Sequence, residues 1–221
     1  RLRFFLVSNA DKIHLHCGSH PSELSFLSLP PQKICISRCG SYIGYYGKFD
    51  IQQRIQSFDI EQPKALFLGM LRGYKGVNNL LELVDCLVNA GIQVTVAGKP
   101  ESEEIKNKIE RNVEAKDNVR TILRRLTEAE VHELCQSADI GLLSYERILT
   151  SATLKLYLSY GMQILAPQLN TIISEDRYRT FCYYDKELVR SRKFIYKKLS
   201  NDEYNEVFCK SYFLAQESRW S

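Results

Sequence analysis

This chain contains no long apolar run and none of the short motifs that mark the best-known nucleotide and metal sites. Its apolar runs are much shorter than the roughly 20 residues that a membrane-spanning helix needs. The dinucleotide pattern G-x-G-x-x-G, the phosphate loop G-x-x-x-x-G-K-[ST], the C-x-x-C pair and the D-x-D pair are all absent. Any nucleotide site must therefore be built from a different arrangement of residues.

Cysteine usage and charge exclude few classes of protein. The seven cysteines are odd in number and scattered, and Cys35, Cys86 and Cys135 lie inside apolar runs. This pattern favours reduced thiols that fill a core, and hence a cytoplasmic protein, over a disulfide framework or a metal site. The net charge of +4 is compatible with an acidic ligand or an anionic membrane surface but requires neither.

The middle of the chain alternates between strand and helix patterns. Apolar strands are predicted at 65–68, 92–98, 118–123, 139–145, 162–167 and 180–184, and helical spacing separates most of them. Thr127 and Glu130 have the spacing of a capping box at the start of one such helix. The alternation predicts an α/β fold, a doubly wound parallel sheet with helices on both faces.

The two flanks differ from this middle part. The first 50 residues contain two further strand patterns, "KIHLHC" and "KICIS", followed by "CGSYIGYYGKFD", which is typical of a linker. From Asp185 onward the strand patterns cease, and two helices packed on the outside are predicted. The chain begins at Arg1 without a methionine, so we expect it to be part of a longer protein.

Two loops of the predicted sheet could bind an anion. In doubly wound sheets ligands lie beyond the carboxyl ends of the strands. One such loop contains Arg72 and Lys75 among Gly69, Gly73 and Gly76, and the other places Thr150 and Ser151 at a helix start, where free N–H groups favour phosphate. On spacing alone these could equally be solvated surface cations and an ordinary helix cap, and both interpretations stay open at this point.

The order of motifs resembles a known enzyme family. The pattern "FLGMLRGYKGVNNLLELV … VTVAGKP … LTEAEVHELCQSADIGLLSY … TSATLKLYLSYGMQILAP" resembles the C-terminal, donor-binding half of GT-B glycosyltransferases. It is similar to the large retaining family that uses nucleotide sugars to build surface polysaccharides and glycolipids. The resemblance covers about residues 62–185. It implies an N-terminal remnant and linker at 1–50 and a Rossmann-like donor domain at 51–185. It also implies C-terminal helices at 186–221 that pack on the outside or back onto the N-terminal domain.

The resemblance also implies which residues bind the donor. Arg72 and Lys75 match the basic pair that binds the donor diphosphate, and the loop 123–126 matches the one whose backbone contacts the base. The family's two glutamates, eight residues apart, fall here on Ile148 and Leu156, and Glu146 is a candidate substitute for the first. The full set of expected donor-binding residues is Gly69, Arg72, Lys75, Gly98, Arg124, Leu126, Glu146, Thr150, Ser151 and Ala152.

The reaction implied is transfer of a sugar from a nucleoside diphosphate to a hydroxyl of a saccharide or lipid-linked acceptor. Two cations and a helix N-terminus would stabilise the departing diphosphate, so no cofactor and no metal is expected. Nucleic-acid binding is not expected either, because the positive charge is dispersed and no basic groove rich in aromatic residues is evident. The acceptor side of the cleft would come from the missing half, without which we expect no activity. A catalytic role for His14, His16 or His20 is less expected than a structural one.

A basic segment near the end of the chain suggests a membrane contact. Residues 177–198 contain eight Lys or Arg against two Asp or Glu. The segment would suit peripheral binding to anionic lipid on the inner membrane face, but a solvated helix face is the more common role of such a segment.

Two other functions remain as alternatives. A GT-B-like nucleotide-sugar epimerase would need carboxylates in the cleft. A non-catalytic scaffold domain would have no nucleotide affinity.

Overall fold

The computed structural model of the chain describes residues 9–16, 31–37, 39–113, 116–148, 150–190, 196 and 199–218. The main sheet has six parallel strands, β3 (Lys64–Leu68), β4 (Gln93–Ala97), β5 (Val119–Ile122), β6 (Ile140–Leu142), β7 (Gln163–Pro167) and β8 (Cys182–Tyr184). A separate parallel pair is formed by β1 (Ile13–His16) and β2 (Ile34–Ser37). The predicted strands of the middle region and the predicted fold class are confirmed.

The helices follow the strands in alternation. They are α1 (Ile51–Ser57), α2 (Val77–Asn89), α3 (Glu103–Val113), α4 (Glu128–Ser137), α5 (Ala152–Ser159), α6 (Asn170–Ile173), α7 (Lys186–Arg190) and α8 (Asn201–Glu217). The predicted capping box of Thr127 and Glu130 begins α4.

The strand order creates a crevice in the middle of the sheet. The order is β5-β4-β3-β6-β7-β8, so the chain moves outward from β3 to β5 and then returns to the other side of β3. The helices that follow β3 and β6 therefore pack on opposite faces of the sheet, and a crevice lies between the loops that lead to them. This is the topological switch point at which open α/β sheets bind ligands.

Two apolar cores cover the two faces of the sheet. Ala65 and Phe67 of β3 point into the core shared with α2 and α3. Leu66 and Leu68 point into the core shared with α4 and α5. Successive side chains of a strand point to opposite faces of the sheet. Because both faces of β3 are buried from Ala65 to Leu68, the positions that point to either face must be apolar there, which explains its continuous apolar run.

The end of the last helix contacts the segment that precedes α1. α8 packs on α1, α5 and β7, and the Ser41 N–H donates to the Ser218 carbonyl at 2.8 Å. Among the described residues, no helix combines the length and apolarity needed to cross a bilayer.

Some sequence-based expectations need correction or lie outside this description. Cys86 and Cys135 are buried as predicted, but Cys35 is exposed, because β2 pairs with β1 away from the main core. All the described cysteines are free thiols. His14 and His16 lie in β1. Outside the described residues are His20, Arg192, Lys193, Lys197 and Lys198.

Candidate functional site

The carboxyl ends of β3 and β4 meet at two glycines. The Gly69 N–H donates to the Ala97 carbonyl at 3.0 Å, and Gly98 lies directly beside Gly69. A Cβ atom on Gly98 would lie 1.8 Å from the Gly69 carbonyl oxygen, so no side chain fits there. The two glycines thus leave bare backbone at the bottom of the crevice, where a ligand can approach closely.

Lys75 borders the space that the missing side chain of Gly69 leaves. A Cβ atom on Gly69 would lie 3.1 Å from Lys75 Nζ and 3.8 Å from Thr153 Oγ1. Burial, followed by the nearby charge of Arg72, lowers the pKa of Lys75. No carboxylate forms an ion pair with Lys75 within the described part of the chain. A partly buried cation without a counter-charge is suited to bind an anion.

Arg72 lies in the same loop but points toward an acid. Its Nε is 3.8 Å from Glu101 Oε1, and 36 % of its side chain is exposed. The chain around it is held by the Glu101 N–H, which donates to the Leu71 carbonyl at 3.0 Å. Arg72 therefore increases the positive potential near Lys75, while part of its own charge is offset by Glu101.

The loops after β3 and β6 are bonded to each other. The Ser144 hydroxyl donates to the Lys75 carbonyl at 2.7 Å. Gly76, which begins α2, has φ of 72°, and a Cβ atom there would lie 1.9 Å from the Ser144 carbonyl oxygen. This contact fixes the position of the Lys75 backbone relative to β6.

The start of α5 faces the same crevice. The Ser151 hydroxyl caps α5 by accepting from the Leu154 N–H at 3.0 Å, and it shares a 3.0 Å hydrogen bond with the Tyr145 hydroxyl. The ring of Tyr145 lies 5.9 Å from Lys75 Nζ. Ala152, the first residue of the helix, is exposed. The positive end of the α5 dipole and the Lys75 ammonium thus lie on two sides of one space.

These elements enclose a cleft of about 290 Å³. It is bordered by the ends of β3, β4 and β5, by α4 and α5, and by the segment before α1. Its lining consists of Tyr42, Tyr46, Leu68, Gly69, Met70, Gly98, Lys99, Arg124, Arg125, Leu126, Val131, Ala152, Thr153 and Leu156. A larger groove of about 440 Å³ lies at the opposite ends of β3, β4 and β5, away from these glycines and cations.

Arg124 and Leu126 form one end of the cleft. The Arg124 guanidinium makes a two-pronged ion pair with Glu130, which also accepts from the Thr127 N–H at 2.9 Å. The Arg124 hydrogen bond, followed by that of the Thr127 backbone, lowers the pKa of Glu130 to about 2. The pair holds the 123–126 loop against the first turn of α4.

Glu146 and Thr150 lie at the rim rather than in the cleft. Both are exposed, and the Glu146 carbonyl accepts from Lys186 Nζ at 3.1 Å. Thr150 Oγ1 lies 3.4 Å from Cys39 Sγ. Of the two positions where the resemblance would place glutamates, Leu156 is a buried wall of the cleft and Ile148 packs against the core.

Several lining residues were not among those expected from the sequence, and three of them carry polar or aromatic groups from elements to which no role was assigned. Thr153 is the second residue of α5, and Tyr42 and Tyr46 belong to the segment interpreted as a linker. Two closely spaced aromatic residues beside glycines were a usable signal, but only the folded chain shows that their rings reach the cleft.

Comparison with protein-family models matches residues 48–147 to the family described as glycosyl transferases group 1. The matched segment contains both glycines, both cations of the first loop and the 123–126 loop. The resemblance to group 1 GT-B glycosyltransferases stated above is confirmed.

A curated relative and several solved structures are similar to this chain. The GDP-mannose:glycolipid 4-beta-D-mannosyltransferase of Xanthomonas campestris pv. campestris is 24 % identical over 115 residues, which are 51 % of this chain and 33 % of that protein. The catalytic domain of starch synthase IV from Arabidopsis thaliana, bound to ADP and acarbose, has a TM-score of 0.72 and 14 % identity, covering 95 % of this chain and 53 % of that one.

A third similar protein is HepE from Anabaena in complex with UDP and glucose, with a TM-score of 0.73 and 10 % identity, covering 96 % of this chain and 60 % of that one. These likenesses establish the fold. The chain spans about half the length of the solved structures that it matches, and its match covers a third of the curated relative.

Proposed function

We propose, with the group 1 GT-B glycosyltransferase architecture of this chain as the premise, that its cleft binds the donor of a sugar transfer. The donor is a nucleoside-diphosphate sugar, and the acceptor is a hydroxyl of a saccharide or a lipid-linked sugar. The similar proteins are named for GDP-mannose or are bound to ADP or UDP, which supports a nucleoside diphosphate as the common element.

The observation that carries the proposal is the position of Lys75. Its ammonium lies beside the bare backbone of Gly69, without an ion pair among the described residues, and across from the start of α5. A diphosphate between the loop 69–76 and Ser151 would be contacted by this cation, by backbone N–H groups and by the helix dipole.

The same contacts would assist the reaction. Negative charge accumulates on the diphosphate as the bond to the sugar breaks, and charges fixed in advance stabilise it without reorganisation. The proposal assigns this task to Lys75, Arg72 and the α5 start, without a metal or cofactor. The acceptor-binding half, and with it full activity, would be supplied by the part of the protein outside this chain.

An epimerase is less compatible with the cleft. Such an enzyme would use carboxylates at the sugar, and none of the described residues that line the cleft is an Asp or a Glu. Leu156 stands where the resemblance would place one of the two acids.

The test is calorimetric titration of the 221-residue chain with UDP, GDP, ADP and CMP. We expect one nucleoside diphosphate to bind most tightly, and Lys75→Ala to weaken it about 10- to 100-fold, because a charge-assisted contact is lost. Arg72→Ala should weaken binding less, because Glu101 already offsets part of its charge.

The matched control is Lys106→Ala, which removes a lysine paired with Glu103 on the surface of α3. This variant should bind like the wild type. If the folded wild-type chain binds none of the four nucleotides, the donor-site proposal is wrong and the scaffold alternative is favoured. The sugar, the acceptor and the configuration of the product require transfer assays with the complete protein and NMR analysis of the product.

A further inference from the structure

The segment between residues 41 and 49 is held firmly against the cleft. The Tyr42 N–H donates to Ser159 Oγ of α5 at 2.8 Å, and the Tyr45 N–H closes a turn on the Tyr42 carbonyl at 3.0 Å. At its far end the ring of Phe49 packs on Tyr160 with centroids 5.0 Å apart. Because both ends are tied to the donor domain, the aromatic rings between them are positioned before any ligand binds.

Two of these rings form an aromatic wall. The rings of Tyr42 and Tyr46 have centroids 6.0 Å apart and planes only 26° apart, and both border the cleft. The Tyr45 ring meets Tyr46 edge-on at 4.8 Å and supports it from outside the lining, with 65 % of its surface exposed. Tyr42 and Tyr46 together make up this aromatic wall.

Tyr46 borders the cleft together with Val131 of α4 and Leu126, and all three pack against the same core. Burial, followed by Tyr42, Tyr45 and then Glu128 of α4, raises the pKa of Tyr46, which agrees with a ring beside the start of α4. Lys75 and Ser151 do not themselves line the cleft but lie beside two residues that do, Gly69 and Ala152 respectively.

The geometry points to the aromatic wall as the stacking surface for the donor's nucleobase, with Tyr46 as the principal contact. This inference rests on the proposed donor site. If the diphosphate lies at Lys75, the base extends toward Leu126, into an apolar slot between the 124–126 loop and the Tyr46 ring. Stacking on an aromatic face is favourable for every base. Tyr46 would therefore supply affinity, and the backbone of the 124–126 loop would supply the choice of base.

The experiment compares Tyr46→Leu and Tyr46→Phe by calorimetry, using whichever of UDP, GDP and ADP the wild-type chain binds most tightly. Leucine keeps an apolar side chain but removes the aromatic face, so the Kd should rise about tenfold. Phenylalanine keeps the face and should bind within about twofold of the wild type. Tyr178→Leu, on a tyrosine that contacts Glu217 and Phe213 and does not line the cleft, is the control and should leave the Kd unchanged.

Binding of inorganic pyrophosphate, which lacks a base, distinguishes the proposed diphosphate site at Lys75 from the proposed stacking of the base on Tyr46. Tyr46→Leu should not change the affinity for pyrophosphate, whereas Lys75→Ala should weaken it. Equal nucleotide binding by wild type and Tyr46→Leu would overturn this inference and leave the donor site standing. An effect of Tyr46→Leu on a nucleotide sugar but not on the free nucleoside diphosphate would assign the ring to the sugar and would also overturn it.

A measurement on the unmodified chain covers the case in which Tyr46→Leu does not fold. With protons retained only on the tyrosine rings, the bound nucleotide should show nuclear Overhauser effects from those rings to its base protons. Contacts confined to the ribose or the sugar, or none to the ligand, would contradict base stacking.

Discussion

Lys75 has opposite consequences for stability and for binding. Burial and the like charge of Arg72 lower its pKa in the folded chain, which means that folding disfavours its charged form. Since no ion pair compensates it in the described part of the chain, the charge destabilises the ligand-free protein. Residues kept for binding at a cost in stability are a common property of active sites.

We therefore expect Lys75→Met to stabilise the ligand-free chain while it weakens nucleotide binding. The gain at pH 7 should be on the order of 0.5 kcal/mol, because the side chain is only partly buried and solvent screens its charge. The gain should shrink as pH rises through the lowered pKa of Lys75, since the wild-type lysine then loses its charge. Urea denaturation of both chains at pH 7 and above pH 9 measures this difference.

Lys106→Met is the reference for this comparison, because Lys106 is a surface residue of α3 paired with Glu103. Its effect should be near zero and independent of pH over the same range. A Lys75→Met chain that is less stable than the wild type at neutral pH would show that Lys75 makes a favourable contact in the folded state.

At the scale of elements, local sequence patterns identified the strands of the sheet, most of its helices, the β1–β2 pair and the helices after Asp185, but not helix α1. Buried parallel strands such as β7 are continuous apolar runs, which can be recognised without knowledge of the fold. Helix α1 was not predicted, because it is seven residues long and its buried member is Arg54 rather than an apolar stripe. A helix that packs through an arginine has no apolar periodicity to detect.

The part of the cleft that is formed by loops of the sheet could be predicted from the sequence, but the part formed by the 41–49 segment could not. Gly69, Gly98 and Lys75 lie at the ends of predicted strands, where the topology of a doubly wound sheet expects a ligand. The contribution of Tyr42 and Tyr46 depends on tertiary contacts such as the Tyr42 bond to Ser159, which no local pattern contains.

The start of α5 offers a test that separates helix capping from anion binding. Ser151→Asp should preserve the cap, because aspartate is as good as serine at this position and its charge suits the helix dipole. The same carboxylate should repel the diphosphate and weaken nucleotide binding at least about tenfold. Ser151→Ala should instead cost about 1 kcal/mol of stability. Thermal denaturation and calorimetry on both variants distinguish the two effects.

Ser200→Asp provides the matched control at another helix start. Ser200 caps α8 in the same way, by accepting from the Glu203 N–H. Its replacement should leave nucleotide affinity unchanged. If Ser151→Asp also binds nucleotide with full affinity, the anion does not lie at the start of α5.

At the scale of the whole molecule, one buried arginine joins the flanking helices to the sheet. Arg54 of α1 is 5 % exposed. Its guanidinium donates to the carbonyls of Gln136 and Ala138 and forms an ion pair with Asp139 Oδ1 at 3.3 Å. On the other side, its Cζ lies 5.0 Å from the centroid of the Phe208 ring in α8. Asp139 in turn accepts from the Lys64 N–H of β3 at 2.8 Å. Helices α1 and α8 are thus connected to the amino ends of β3 and β6.

We expect Arg54→Met to lower the free energy of unfolding by about 3 kcal/mol, because it leaves the Asp139 carboxylate buried without its partner. The Arg54→Met, Asp139→Asn double variant should recover part of this loss, because no buried charge is then left uncompensated. Arg177→Met is the control: it removes an exposed ion pair with Glu217 of α8 and should cost less than about 1 kcal/mol. Urea denaturation of the wild type, these three variants and the Asp139→Asn single variant measures the losses. A double variant as unstable as the sum of its single substitutions would show that Arg54 acts through its carbonyl and Phe208 contacts rather than through the charge of Asp139.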